Sequence, residues 1–325
     1  EEGGDAAEAG VGPSEHSVEA CAVALPERVV ACEACPRHTL LLTAEGAVWE
    51  VRWFAPDQPP ASPLCVWRPL SDRLRVLEIS ALFYHTLMRT ASGEALAMGD
   101  SHQGKLGLRP QGGALVSRPH LVPRLTKIVG VAAGGGHSLF LQEDGAVLAC
   151  GANAHGQCGL CWAAPVAVAW RPEAMLLPQG AAGAVVQVAA GDMHSVLVTH
   201  QGRAFACGSN DRGQCGALSG GRPRPAKLLR PVAIELPRGA RVVGAAAACA
   251  FTALEVEVEH TPQRREGASA DGDGEGVRDG VCEGVWCAGD ASQFRIPGTL
   301  EAVGGVHFLP SCYMDDQSTH ELSAS

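Results

Sequence analysis

Four histidines in this sequence are each followed by a hydroxyl: His38-Thr39, His85-Thr86, His137-Ser138 and His194-Ser195. An imidazole beside a hydroxyl, oriented by a third group, can take the proton while the oxygen attacks, which is the basis of serine nucleophile chemistry. Two Cys-x-x-Cys pairs, Cys32/Cys35 and Cys158/Cys161, each offer half of a tetrahedral zinc site. The run Gly134-Gly135-Gly136 has the composition of a phosphate cradle, but neither the dinucleotide-binding spacing nor a Lys-Ser/Thr pair accompanies it.

The spacing of these residues argues for scaffold rather than reaction. The histidines recur at intervals of 47, 52 and 57 residues, and Cys249-Ala250-Phe251-Thr252 follows with Phe in the histidine slot. Eight residues after each His stands a glycine: Gly46, Gly93, Gly145 and Gly202. Fourteen residues after come Gly99, Gly151 and Gly208, with Arg52 in the first segment. Nineteen after come Gly104, Gly156 and Gly213, each opening a Gly-Gln/Lys-Leu/Cys-Gly tetrapeptide. Cys150 and Cys158 lie 13 and 21 residues after His137, and Cys207 and Cys215 hold the same offsets from His194. Repeat position therefore accounts for Cys158 without a metal, and no metal or cofactor is expected. Four His-Ser/Thr pairs on four successive repeats read as repeated structural elements, each hydrogen-bonding within its own repeat.

Self-similarity at this period defines the fold before any single element does. A run of small or β-branched residues precedes each histidine, as in Val185-Val186-Gln187-Val188-Ala189-Ala190, and suits strands crowded around an axis. Apolar residues follow, then Glu45-Gly46, Ser92-Gly93, Asp144-Gly145 or Gln201-Gly202, then a second apolar run. A glycine there supplies the positive φ that a hairpin turn requires. Each repeat is thus a small antiparallel sheet with a longer polar loop, and such sheets bury both faces only by packing against one another. High glycine and proline content, 40 and 21 of 325 residues, fits many short strands.

Residues 133–159 and 189–216 carry these features in full and are similar to the regulator-of-chromosome-condensation repeat; residues 29–53 and 77–107 are more worn. The resemblance implies an all-β fold, a β-propeller of four-stranded blades, of which the family has seven and this chain about five recognisable repeats. It also implies guanine-nucleotide exchange on a small GTPase, chromatin docking or protein scaffolding, and transfers no exchange residue. The first repeat has Asp57-Gln58-Pro59-Pro60 in place of the tetrapeptide, and Gly304-Gly305-Val306-His307 is a trace of a further repeat.

The expected organisation is an acidic, disordered segment over 1–25, repeats over 26–312 with a disordered acidic insert at 257–282, and a polar tail over 313–325. The formal net charge is −10. Residues 1–20 carry six acids and no Lys or Arg, 255–283 carry nine acids against three arginines, and the last eleven residues carry three acids. The remaining body is then about +5, and the acidic total points away from nucleic acid. No run is long and apolar enough for a membrane helix, and thirteen cysteines in a long chain read as reduced thiols of a cytoplasmic or nuclear protein. The expected function is a non-enzymatic interaction module with a protein partner, with exchange on a small GTPase as the alternative. Its binding candidates lie on loops: His102, Asn153, His155, Asn210, Asp211 and Arg212, with Arg222 and Arg224 in the most basic stretch.

Overall fold

The computed structural model describes residues 24–35, 38–52, 63–108, 115–160, 166–179, 181, 184–216, 225–236, 239–259, 281–289, 302–303 and 306–310. The first blade comprises β1 (Val29–Ala34), β2 (His38–Thr43), β3 (Val48–Arg52) and β4 (Leu64–Trp67). The second comprises β5 (Val76–Leu82), β6 (His85–Thr90), β7 (Ala95–Asp100) and β8 (Leu115–Leu121). The third has β9 (Ile128–Ala133), β10 (His137–Gln142), β11 (Val147–Ala152) and β12 (Val168–Ala174). The fourth has β13 (Val185–Ala190), β14 (His194–Thr199), β15 (Ala204–Ser209) and β16 (Lys227–Ala233). A fifth sheet is built from β17 (Ala240–Ala248), β18 (Phe251–Glu259), β19 (Val281–Gly289), β20 (Ala302–Val303) and β21 (Val306–Pro310). Within each of the first four blades the strands pair antiparallel in chain order. The first strand of each blade packs against the first two strands of the blade before it, which sets the sheets side by side as the blades of a propeller.

Strand periodicity explains why the blades need neighbours. Along β10, Leu139 and Leu141 enter one core cluster and Phe140 enters another. Successive side chains leave a strand on opposite faces, so both faces of this blade are buried and the centre of the strand, Leu139-Phe140-Leu141, is apolar on both. The cores accordingly lie between blades: Leu40, Leu42 and Val48 meet Ile79, Met88 and Leu96, and Leu87, Ala97 and Leu106 meet Val131, Ala133 and Phe140.

The glycine register has two structural causes. Gly46, Gly93, Gly145 and Gly202 take φ of 74–78° at the ends of the β2–β3, β6–β7, β10–β11 and β14–β15 hairpins. Three of their carbonyls also reach the next blade: Gly46 accepts from the Val76 N–H (3.2 Å), Gly93 from Ile128 (2.9 Å) and Gly202 from Val242 (2.9 Å). Gly99, Gly151 and Gly208 stand opposite His85, His137 and His194 in the ladder. Their φ values are near 110°, and a Cβ at any of them would lie 2.6–2.7 Å from the paired histidine Cα.

Two expectations change. Val306–Pro310 pairs with β19 as the fourth strand of the fifth sheet, so the segment around Val306 belongs to an existing blade and starts no further repeat. The β18–β19 ladder continues through Glu257↔Glu283 to Glu259↔Val281, so main-chain pairing takes both ends of the insert expected at 257–282. The expected N-terminal acidic segment up to residue 23, residues 260–280, the C-terminal tail, Asp57 to Pro60, Gly304 and Gly305 lie outside the described residues.

Candidate functional site

The three histidines of blades two to four are fully buried, and each reaches forward into the next blade. His85 Nε2 lies 2.7 Å from Ser138 Oγ, His137 Nε2 2.9 Å from Ser195 Oγ, and His194 Nε2 2.9 Å from Thr252 Oγ1. Each hydroxyl in turn donates to a backbone carbonyl of the tetrapeptide in the blade behind it: Ser138 to Lys105 (2.6 Å), Ser195 to Gln157 (2.7 Å) and Thr252 to Gln214 (2.7 Å). A carbonyl can only accept, so the hydroxyl proton is committed there and the imidazole must donate from Nε2. This fixes the tautomer and leaves Nδ1 as a bare lone pair, without a hydrogen-bond partner in His85 and His137. The expectation of a bond inside one repeat is corrected. Adjacent strand residues point to opposite faces, so His137 and Ser138 cannot meet and each finds its partner across a junction.

Burial holds these imidazoles neutral. Desolvation, with the Lys105 charge second, lowers His85 to about 3. Desolvation and the neighbouring His194 lower His137 to about 3. Desolvation lowers His194 to about 4 against the opposing carbonyls of Phe251 and Cys249. Each serine hydroxyl donates its hydrogen bond to a carbonyl and is sealed from solvent, which suits a structural bond and not an attack on a substrate. The repeated thiols behave alike. Cys150 and Cys207 donate to the Lys105 and Gln157 carbonyls, and burial raises the thiols of Cys150, Cys158, Cys207 and Cys215 far above their ordinary range. Cys32 is exposed and Cys35 half-buried, Cys161 lies outside the described residues, and no group of three metal-ligating side chains occurs among those described.

The loops after the third strands hold the surface candidates, and the structure divides them. Asn153 Oδ1 accepts from the Cys158 N–H (2.9 Å) while its Nδ2 donates to Val166. Asn210 does the same with Cys215 (3.1 Å) and Pro225. Both side chains are buried and fully used in closing their loops, which removes them from any surface. The Asp211 carboxylate is turned inward onto its own loop. The Ser209 hydroxyl (2.8 Å), working against a small burial penalty, and then the Gln214 amide and Arg212 N–H hold its carboxyl below the usual range. Arg212 is exposed beside it, and Arg222 and Arg224 lie outside the described residues.

His102 and His155 come together at a groove of about 410 Å³ where blades two, three and four meet. The turns that precede His85, His137 and His194 form one side of it: Tyr84, then Gly135 and Gly136, then Asp192 and Met193. Tyr84 and Met193 are large and exposed, at 63% and 42%, while the intervening glycines leave a floor without side chains. The other side holds a closed ion cluster. The Asp100 carboxylate accepts from the Lys105 ammonium, the His102 ring and the His102 N–H (3.0 Å). Burial pushes this carboxyl up, but the Lys105 ammonium and the two His102 bonds outweigh it and hold it at about 2. Lys105 Nζ also sits 5.5 Å from the Tyr84 ring centroid. Asp192 differs: burial raises its carboxyl, the His155 ring opposes this only in part, and no side-chain bond to its carboxylate is formed among the described residues. Sequence reasoning did not single out Tyr84, Asp192 or Met193. The available signal was variation, since these turns differ from repeat to repeat beside an otherwise constant histidine.

The profile of the Regulator of chromosome condensation (RCC1) repeat matches residues 92–141, 144–198 and 201–254, and a second RCC1 profile matches 128–157 and 185–214. Blades that share this register, packed face to face by a repeated junction, define a β-propeller. This chain belongs to the RCC1 repeat family. It is 30% identical over 178 residues to the Regulator of chromosome condensation of Drosophila melanogaster, covering 52% of this chain and 31% of that protein. It is 34% identical over 122 residues to the Secretion-regulating guanine nucleotide exchange factor of Bos taurus, covering 36% of this chain and 25% of that protein. The chain thus spans about a third or less of the length of the curated relatives it matches. The crystal structure of Prp20p from Saccharomyces cerevisiae shares the fold, with a TM-score of 0.59 and 20% identity over 70% of this chain and 57% of that one.

Proposed function

We propose that this chain is a non-enzymatic, regulatory protein-interaction module that meets its partner with the groove face of blades two to four. One observation carries the reading: the repeated imidazoles of His85, His137 and His194 and their hydroxyl partners are consumed in blade junctions, whereas the variable turns gather into an exposed groove. Loops held on a rigid scaffold are the usual seat of recognition. Nine of the described cysteines are free thiols, which supports a reducing compartment, cytoplasm or nucleus. No helix among the described residues is long and apolar enough to cross a membrane.

The test compares the two ends of the same blades. Replacing Tyr84 and Met193 together by Ala is expected to weaken partner capture at least about tenfold, as for anchors at an interface centre. Glu143→Gln, at the β10–β11 hairpin on the opposite end, is expected to leave capture unchanged. Equal loss from both variants, or turnover of a small substrate by the isolated chain, contradicts the reading.

A second reading is nucleotide exchange on a small GTPase, favoured by similarity to the bovine exchange factor and to Prp20p, a protein with binding properties to Gsp1p and histones. Here the propeller would hold the nucleotide-free GTPase without covalent chemistry. Release of labelled GDP across a panel of small GTPases decides it: acceleration of one member supports exchange, and a flat panel rejects it. Docking to chromatin through nucleic acid is a third reading, and the net charge of −10 opposes it.

A further inference from the structure

The groove contains two carboxylates in opposite conditions. Asp100 is paired with Lys105 and hydrogen-bonded to His102 and has nothing to offer a ligand. Asp192 is half-buried in the wall of the same groove, and its side chain forms no hydrogen bond or ion pair among the described residues. The nearby His155 ring offsets the burial of this carboxylate only in part, and the remaining cost of withdrawing it from water is relieved by a cation or N–H donor from outside. Gly135 makes room for the carboxylate: Asp192 Oδ1 packs where a Cβ at that position would stand, and the half-buried side chain still lines the open groove. The exposed thioether of Met193, next in sequence to Asp192, and the ring of Tyr84 line the same groove and offer apolar surface to an alkyl stem.

We infer that the groove receives a basic side chain of the partner protein, an arginine or lysine whose stem packs between Tyr84 and Met193 and whose cationic head pairs with Asp192. This rests on the reading of the groove face as the docking surface and names the chemistry it selects. Arginine fits better than lysine, because its planar head can engage both carboxylate oxygens while its stem remains against apolar walls. The paired Asp100–Lys105 cluster sets the far wall and adds no net charge.

Amide NMR of the intact 15N-labelled chain tests this with three probes: N-acetyl-arginine amide, its neutral near-isostere N-acetyl-citrulline amide, and N-acetyl-glutamate amide. The arginine probe is expected to shift the amides of residues 134–136 and 191–194 saturably, roughly tenfold more tightly than citrulline. Asp192→Asn is expected to reduce arginine to the level of citrulline without moving the rest of the spectrum. Equal binding of arginine and citrulline, or an unchanged arginine affinity in Asp192→Asn, overturns the inference. Preferential binding of the glutamate probe in the groove also overturns it while leaving the docking face in place. Silence from all three probes removes the inference alone, since the Tyr84/Met193 capture experiment reports on the docking face independently.

Discussion

The junctions within blades two to five and the junction of blade one with blade two are built to different standards. At the three later junctions a buried histidine, a hydroxyl of the next blade and a tetrapeptide carbonyl form one chain of hydrogen bonds. At the first, His38 is only half-buried, Arg52 stands where the other blades have glycine, and β1 is exposed along most of its length, whereas β9 and β13 are largely buried. Blade five keeps the accepting half, Thr252, but has Phe251 in the donating slot. The repeat signature therefore records contact with a neighbour on each side. It wears away where one of those contacts is absent among the described residues.

The sharpest way to break this contrast is Gly151→Ala. It places a Cβ on a backbone with φ of 111° and 2.6 Å from the His137 Cα. A loss of about 3 kcal/mol or more is expected in urea unfolding, whereas Arg52→Gly at the equivalent place in blade one should change stability by no more than about 1 kcal/mol. Next in size is His137→Ala, which empties a fully buried site and strips Ser195 of its donor. About 3 kcal/mol is expected from the cavity and lost bond together, against about 1 kcal/mol or less for His38→Ala. A double-mutant cycle with Ser195→Ala should return a coupling near 1 kcal/mol. Zero coupling would mean that the two side chains do not communicate.

Acid should act on the three later junctions as a group. Their histidines titrate near 6.5 when unfolded but only near 3 to 4 when folded, so the unfolded chain binds more protons throughout the interval. Stability is then complete above pH 6.5 and drains as the pH falls below it, by up to about 1.4 kcal/mol per histidine for each pH unit. Urea midpoints recorded from pH 7 to pH 5 should fall, and the slope should be shallower in His137→Ala. A pH-independent midpoint would contradict buried neutral imidazoles. A separate loss of about 1–2 kcal/mol is expected from Asn210→Ala, which opens the loop that carries the Gln214 carbonyl of the last junction.

Much of the scaffold was legible in the glycines, since hairpin turns and positive φ restrict residue type more tightly than packing does. The direction of the histidine bonds was less visible because the partner lies a full repeat away: the pairs are separated by 53, 58 and 58 residues. The alternation of side chains along a strand was the available clue, because it forbids a bond between neighbouring His and Ser. Asn153 and Asn210 looked like surface polar residues in a loop, and only the loop's closure shows that their amides face inward. The groove was hidden for another reason. Tyr84, Asp192 and Met193 follow no repeat pattern, and a search for register passes over what varies.

The central claim is that the repeated residues build junctions while the variable turns recognise. It is tested most directly by measuring melting temperature and arginine-probe affinity together for Ser195→Ala and Asp192→Asn. The account predicts a lowered melting temperature with unchanged affinity for Ser195→Ala, and lost affinity with an unchanged or slightly raised melting temperature for Asp192→Asn. Lost affinity at an unchanged melting temperature in Ser195→Ala would instead place the junction hydroxyl at the functional site and contradict the account.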